Sequence, residues 1–240
     1  MAEPIDLSEA VRYPFRDARW PGKAVVLALV SFIPILNFAS IGFEVETAGR
    51  VAAAEPLPMP EWGDLGGLFR RGLWLALARY LYALPLFLLM GVAAAAGFGL
   101  LATLNSRHEA WSTVFGLVCC SGFLLMVAFG FVFSFFSPAI TVRYLQIGTF
   151  SSCFDLPAIW RNFRGHPTPH FAVFASILGF SLVLSLLAGP VTVLFGWIPC
   201  IGPIANWFVL AAMVSAVLLF SGHLEGQLLR IVTTPAAAKP

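Results

Sequence analysis

From Gly165 to Leu224 the chain reads GHPTPHFAVFASILGFSLVLSLLAGPVTVLFGWIPCIGPIANWFVLAAMVSAVLLFSGHL, 60 consecutive residues without an Asp, Glu, Lys or Arg. A helix needs roughly 20 apolar residues to cross the hydrocarbon core of a bilayer, so this stretch holds two crossings and the turn between them. Three shorter charge-free runs precede it: 20 residues between Lys23 and Glu44, 27 between Arg79 and Arg107, and 33 between Glu109 and Arg143. Across all 240 residues 59% are hydrophobic and 11% charged, with a mean hydropathy of +0.87. A soluble domain is about a quarter charged, and a globule of this size still has a large surface to hydrate. The pattern therefore excludes a water-soluble core. It also excludes a β-barrel, whose strands are shorter and alternate apolar with polar residues.

The expected fold is all-α: a polytopic helical membrane protein with four full transmembrane helices, an N-terminal re-entrant or hairpin segment, and interfacial amphipathic helices. The spans are expected at 81–104, 112–136, 171–187 and 204–220, in one helical membrane domain over 1–230. Tyr80, Tyr82, Trp111, Tyr144, Trp160, Trp197 and Trp207 lie near their ends, as aromatic belts do. The first apolar run, Ala24–Phe43, has two readings. It crosses once with a kink at Pro34, or it turns at Pro34–Asn37 and returns within a hairpin over 24–54. Cytoplasmic loops retain Lys and Arg. A full crossing leaves at best 9 of the 14 basic residues on one side, whereas a returning hairpin leaves 13 on one side and Arg107 alone on the other. The hairpin is therefore expected, with both termini cytoplasmic. Residues 1–20 carry seven charges, and no Ala-x-Ala site follows the first apolar run, so no secretory signal peptide is expected. Residues 231–240 read as a disordered tail.

A faint internal echo aligns Phe32–Phe43 with Trp197–Phe208, through Ile33/Ile198, Pro34/Pro199 and Phe43/Phe208. Both stretches turn the chain at a proline and then start a helix, and duplicated halves recur in membrane proteins. Three polar stretches flank the spans, each combining acid, arginine and tryptophan: Asp6–Trp20, Pro60–Arg71 and Phe154–Arg164. In the first, Leu7, Val11 and Phe15 make an apolar stripe every four residues. All three are expected to lie as short helices in the headgroup plane, with arginines toward anionic lipid.

Arg12-Tyr-Pro-Phe-Arg-Asp17 leads to Trp20 and Lys23, then Ile33-Pro34, Gly42-Phe43, Arg50 and the Leu57-Pro-Met-Pro-Glu-Trp62-Gly-Asp64 turn. This pattern resembles a prokaryotic multi-pass membrane family catalogued as a domain of unknown function. The likeness covers most of the chain, with residues 12–64 the more specific part and Ser221–Gln227 similar to the family's closing segment. An extra Met-Pro at 59–60 interrupts the expected Leu-Pro-Glu-Trp. The resemblance implies a bacterial or archaeal plasma membrane and no reaction.

Polar chemistry is sparse. Glu44, Glu46 and Arg50 follow the hairpin, with Glu46 and Arg50 spaced as an i,i+4 pair. Ionisable groups at membrane depth are costly unless partnered, so these three, with Asn37 and Asn206, form the candidate polar site. His166-Pro-Thr-Pro-His170 spaces two imidazoles by four, but its prolines are expected to prevent a helix that aligns them. His223 and Glu225 adjoin a span end, and Arg79 begins a span. No cluster reaches a zinc ligand count, and the four cysteines lack C-x-x-C spacing. Nucleophile, metalloprotease and phosphate-loop motifs are absent. No cofactor, metal, catalytic residue or nucleic-acid partner is expected. Gly91, Ala95 and Gly99, like Gly116 and Cys120, are spaced for close helix packing, and the third apolar run is rich in phenylalanine from Phe123 to Phe136. The leading expectation is a non-enzymatic inner-membrane subunit or organiser. It would contact anionic lipid and a membrane-protein partner or a second copy of itself. The alternative is a small-solute permease or channel using broken helices near Pro34 and Pro199.

Overall fold

The computed structural model describes residues 5–103, 108–198 and 201–234, with side chains at 5–96, 116–198 and 202–234. Among the described residues the chain is helical without a strand: α1 (Leu7–Arg12), α2 (Trp20–Phe32), α3 (Asn37–Ala52), α4 (Leu65–Thr103), α5 (His108–Ile147), α6 (Leu156–Gly165), α7 (Pro167–Gly196) and α8 (Ile201–Thr233). Short 3-10 turns occupy Tyr13–Arg16, Trp62–Asp64 and Phe150–Phe154. Four segments are long and apolar enough to cross a membrane: Trp62–Ala96, Gly116–Ile147, Pro167–Gly196 and Gly202–Thr233. The apolar α2, at 13 residues, falls short. Four crossings and a hairpin are thus the architecture.

The hairpin has a local cause. Pro34 disfavours helical backbone at the residue before it, and Ile33 is extended at φ −86°, ψ 113°. Backbone amides then restart the helix, with Asn37 N–H on the Ile33 carbonyl. The two arms are tied by Ser31 Oγ and Ser40 Oγ, 3.0 Å apart. Lys23, before the run, and Phe43, at its end, both reach Trp62: the indole Nε1 donates to the Lys23 carbonyl at 3.1 Å, and its ring stacks on Phe43 at 4.9 Å. A crossing helix would hold those two ends about 30 Å apart.

The chain forms two compact units, one from 1–76 with 138–240, the other from Leu77–Ser137. In the first, α8 is the hub and packs against α1, α2, α3 and α7. One core cluster joins Ala10, Val142, Val173, Leu224 and Leu228, and another joins Tyr13, Leu27, Phe43, Met59 and Leu68. Lipid offers no hydrophobic drive between helices, so small residues that let backbones touch decide the packing. A Cβ on Gly42 would lie 1.8 Å from the Leu68 carbonyl oxygen, and one on Gly72 would lie 1.7 Å from the Phe38 oxygen. The crossing of α3 over the start of α4 is therefore backbone on backbone. On α8, a Cβ at Gly222 would meet the Glu44 oxygen at 2.8 Å and one at Gly226 the Ala48 oxygen at 2.5 Å. Positions 44 and 48 rise together with 222 and 226, so α3 and α8 run parallel.

The second unit is the far part of α4 with the first part of α5. Leu88, Val92, Leu117, Phe123, Leu124 and Phe131 are each more than half exposed on it, while Phe129 stacks on Phe133 at 5.9 Å. Here the small-residue expectation is corrected. Cβ atoms on Gly91 and Gly116 would meet nothing within 4 Å, because the close approaches are made by glycines of α3, α4 and α8. The side chain of Ala95 is exposed and so is Cys120; Gly99 lies among residues without described side chains.

Several polar stretches also differ from expectation. Pro60–Arg71 is not a separate surface helix: after the turn at Trp62–Asp64 the chain is already in the 39-residue α4. Arg79 consequently sits inside a helix that began at Leu65, rather than opening a span. Helix α7 starts at Pro167, since proline is accepted in the first turn, where its missing N–H has no partner to lose. The prolines around His166 and His170 therefore begin a helix instead of blocking one. Helix α8 continues to Thr233, into the stretch read as tail; 235–240, Arg107 and Cys200 lie outside the described residues.

Candidate functional site

The densest polar chemistry in the first unit is on α8, where Ser221-Gly-His-Leu-Glu-Gly-Gln227 meets α3 and the N-terminal segment. Ser221 Oγ donates to Glu44 Oε1 at 2.6 Å, and Glu44 is only 4% exposed. Gly222 and Gly226 admit the α3 backbone. The His223 ring stacks on Tyr13 at 4.6 Å, and Leu224 is fully buried in the core. Glu225 is 2% exposed. Gln227 holds the entering N-terminal segment at both main-chain groups: Asp6 N–H donates to Gln227 Oε1 at 2.7 Å, and Gln227 Nε2 donates to the Asp6 carbonyl at 2.9 Å. The Tyr13 hydroxyl donates to the Leu219 carbonyl at 3.0 Å, and burial pushes that phenol well above its ordinary pKa. The seam therefore locks α1 and α3 onto α8.

Beside it lies a charged staple. Lys23 Nζ reaches Asp17 Oδ2 at 2.6 Å, Glu61 Oε1 at 2.7 Å and the Met59 carbonyl at 3.1 Å. An ammonium has three N–H donors, so all three are used. Asp17 and Lys23 are each 5% exposed, and the hydrogen bond from Lys23 holds the Asp17 carboxyl below the usual carboxylate range. The same lysine lowers the exposed Glu61 carboxyl. Arg19 closes the group on Glu61 at 2.6 Å.

The expected site residues divide between three places. Glu44 faces α8. Glu46, on the opposite side of α3, is bridged by Arg50 at 3.0 Å and Arg71 at 2.9 Å, with Asp64 behind Arg71 at 3.4 Å. Asn37 opens α3, two turns before Glu44. Asn206 is fifteen residues before Ser221 on α8, about 22 Å by helical rise. The structure joins Glu46 with Arg50 and does not bring Asn37 or Asn206 to Glu44. His223 and Glu225, read as adjoining a span end, are instead buried within α8. Among the described residues no group of three metal-ligating side chains comes together. Sequence reasoning missed Asp17, Lys23 and the Gly222/Gly226 pair. The glycine spacing is a signal of the same kind as the one read at Gly91, and Lys23 borders an apolar run.

Replacing Ser221 by alanine removes a donor from a buried carboxyl group, where such bonds contribute about 1–3 kcal/mol. The expected result is a lower unfolding midpoint in detergent, read by tryptophan fluorescence. An unshifted midpoint contradicts the Glu44–Ser221 contact.

Residues 26–197, 172 of the 240, match the family described as protein of unknown function (DUF4013). The chain belongs to the DUF4013 family. No curated protein and no solved structure matches it. The DUF4013 match begins inside α2 and stops at the end of α7. It includes the Leu57–Asp64 turn, whose Met59 and Trp62 hold Lys23. It excludes residues 12–25 and the α8 seam, so the resemblance read at 12–64 extends outside it at its N-terminal end, and Ser221–Gln227 lies wholly outside. The interrupting Met59 is buried in the core.

Proposed function

We propose that this chain is a non-enzymatic subunit or organiser of a membrane assembly in a prokaryotic cytoplasmic membrane, with both termini on the cytoplasmic side. The observation that carries the reading is the contrast between the two units. In the first, the ionisable groups Glu44, Asp17, Lys23, Glu46 and Arg50 are engaged with the chain's own side chains and carbonyls. The second offers broad apolar, phenylalanine-rich flanks and no Asp, Glu, Lys, Arg or His between Tyr80 and Ala96 or between Gly116 and Ser137. A pathway for solute needs polar groups facing a passage, whereas a scaffold needs a rigid body and apolar flanks. The orientation is supported by charge: 12 of the 14 basic residues, all but Arg79 and Arg107, belong to the segments of the first unit, 1–76 and 138–240. Cytoplasmic segments retain such residues.

Capture of the tagged full chain in nanodiscs tests the reading. The expected result is a partner, or a second copy, at fixed stoichiometry. Phe123→Ala with Phe131→Ala is expected to release it while leaving the unfolding midpoint of the first unit unchanged. A chain that is recovered alone and monomeric across several mild detergents, or one whose reconstituted vesicles move solute, overturns it.

A further inference from the structure

We propose that α6 is a headgroup-reading helix that lies at the membrane surface and binds the phosphates of anionic lipid through Arg161 and Arg164. The proposal rests on the membrane reading above and names a partner for one surface of the first unit. Helix α6 has one buried face: Ala158 and Ile159 are enclosed, and Asn162 donates to Gln146 Oε1 of α5 at 3.1 Å. Its outward arc is itself divided. Leu156, 58% exposed, and Trp160, 44% exposed, form the apolar edge. Arg161 and Arg164 form the basic edge, and the Arg164 guanidinium lies 4.9 Å from the Trp160 ring centre. A helix already packed on one side has no need of a second apolar edge unless that edge meets something other than water.

Two further features favour lipid as the occupant. First, the apolar edge continues into an aromatic strip: Phe154 contacts Phe150 at 5.2 Å, and Phe150 contacts Trp74 of α4 at 5.5 Å. Tryptophan and phenylalanine in that arrangement suit the headgroup–acyl boundary. Second, the outward arc keeps a net positive charge, although Asp155 lies near enough to Arg161 to feel its field. The segment's sole acid, Asp155, is consumed internally: its Oδ1 accepts from the Ala158 N–H at 3.2 Å, and its Oδ2 accepts from Arg143 at 2.5 Å. The Arg143 hydrogen bond also keeps that carboxyl ionised below the usual range. The outward arc therefore carries two positive charges with an apolar border, complementary to a phosphodiester above acyl chains. Guanidinium is suited to this role by its planar, multi-donor fork.

Native mass spectrometry of the full chain in detergent, offered equimolar phosphatidylglycerol and phosphatidylcholine, tests the proposal. A basic residue at the headgroup level changes affinity for anionic lipid about five-fold. Arg161→Gln with Arg164→Gln is expected to lower the phosphatidylglycerol preference by roughly 25-fold on that per-residue effect. Arg161→Lys with Arg164→Lys keeps most of the preference, and Arg107→Gln with Lys239→Gln, two basic residues outside the lipid-facing stretches, leaves it within two-fold. Docking of the segment is monitored through Cys153, which is fully buried, by maleimide protection after Cys119, Cys120 and Cys200 are replaced by serine. If the Gln pair exposes Cys153, the comparison of the Lys pair with the wild type in low and high salt decides instead. A preference that salt does not weaken overturns the proposal. So does an equal loss in the Arg107/Lys239 variant, or displacement of the lipid by inorganic phosphate at equal concentration. Loss of lipid preference without loss of the captured partner refutes this proposal alone.

Discussion

Gly42→Ala and Gly72→Ala are each expected to abolish the folded protein, and they carry the largest structural effect in the chain. At both positions the added methyl would enter a backbone carbonyl of the facing helix, at 1.8 Å from Leu68 O and 1.7 Å from Phe38 O. A flexible side chain can swing away from such a clash; a helical carbonyl moves only with its helix. Overpacking in a core costs about 1–3 kcal/mol when side chains absorb it, and a carbonyl that cannot yield puts these variants at the top of that range or above. The cost extends beyond the glycine itself. Parting α3 from α4 also separates Phe38 from Phe69, now 5.7 Å apart, and draws Phe43 away from the Trp62 ring. The measurement is the monodisperse fraction by fluorescence-detected size exclusion, followed by the unfolding midpoint of whatever survives. Gly66→Ala and Gly179→Ala are the controls, because a methyl at either meets nothing within 4 Å. They are expected to leave stability unchanged or raise it by about 0.5–1 kcal/mol, as alanine is the better helix former. Equal behaviour of Gly42→Ala and Gly66→Ala would falsify the crossing.

These glycines mark where the sequence stopped being readable. The four crossings were legible because a charge-free run near 20 residues has few other uses. The hairpin was legible because Pro34 breaks the run and the arginines on both sides count toward one face. Gly42 and Gly72 were not, since a glycine reveals a close approach only when its partner is known. The start of α4 was hidden for a related reason. Leu65-Gly-Gly-Leu-Phe-Arg-Arg-Gly72 has three weak helix formers and two charges, and reads as part of a short surface helix rather than the start of a span. In the fold it is helical because Gly72 and Leu68 must meet α3 and because Tyr144 donates to the Arg71 carbonyl at 3.1 Å. The candidate site was half legible. Glu44 and the Glu46–Arg50 pair were singled out from their depth and spacing. One partner of Glu44 is Ser221, 177 residues away, and nothing local announces it. The charged staple was passed over because Asp17 and Lys23 stand in a stretch with five other charges, where a solvated surface is the ordinary outcome.

That staple supports the second large effect. Lys23→Met is expected to destabilise the chain by about 3–5 kcal/mol, the cost of leaving one member of a buried ion pair without the other. The substituted side chain fills similar volume, so the loss reports on the charge, and Asp17 is left 5% exposed with only the Arg19 N–H still bonded to it. Adding Asp17→Asn to Lys23→Met removes the stranded carboxylate and is expected to recover most of the loss, because neutral replacement of a whole buried pair is often tolerated. The pH dependence separates this from a packing defect. In the wild type the Asp17 carboxyl titrates below its ordinary value of about 3.9, because of Lys23. A depressed carboxyl contributes stability that is complete above the unfolded pKa and lost as pH falls through the folded one. The wild-type contribution is therefore flat from neutral pH down to about 4 and declines below that. In Lys23→Met the buried carboxyl has lost its cation, and desolvation raises its pKa. A raised carboxyl makes the folded state bind the proton more tightly, so the variant's penalty shrinks as the pH is lowered from 7 toward 4. Unfolding midpoints of both proteins at pH 7, 5.5 and 4.5 should converge, while Asp17→Asn/Lys23→Met keeps a constant offset. A gap between wild type and Lys23→Met that stays the same across that range means that the lysine acts through its methylenes, and that the ion pair holds nothing in place.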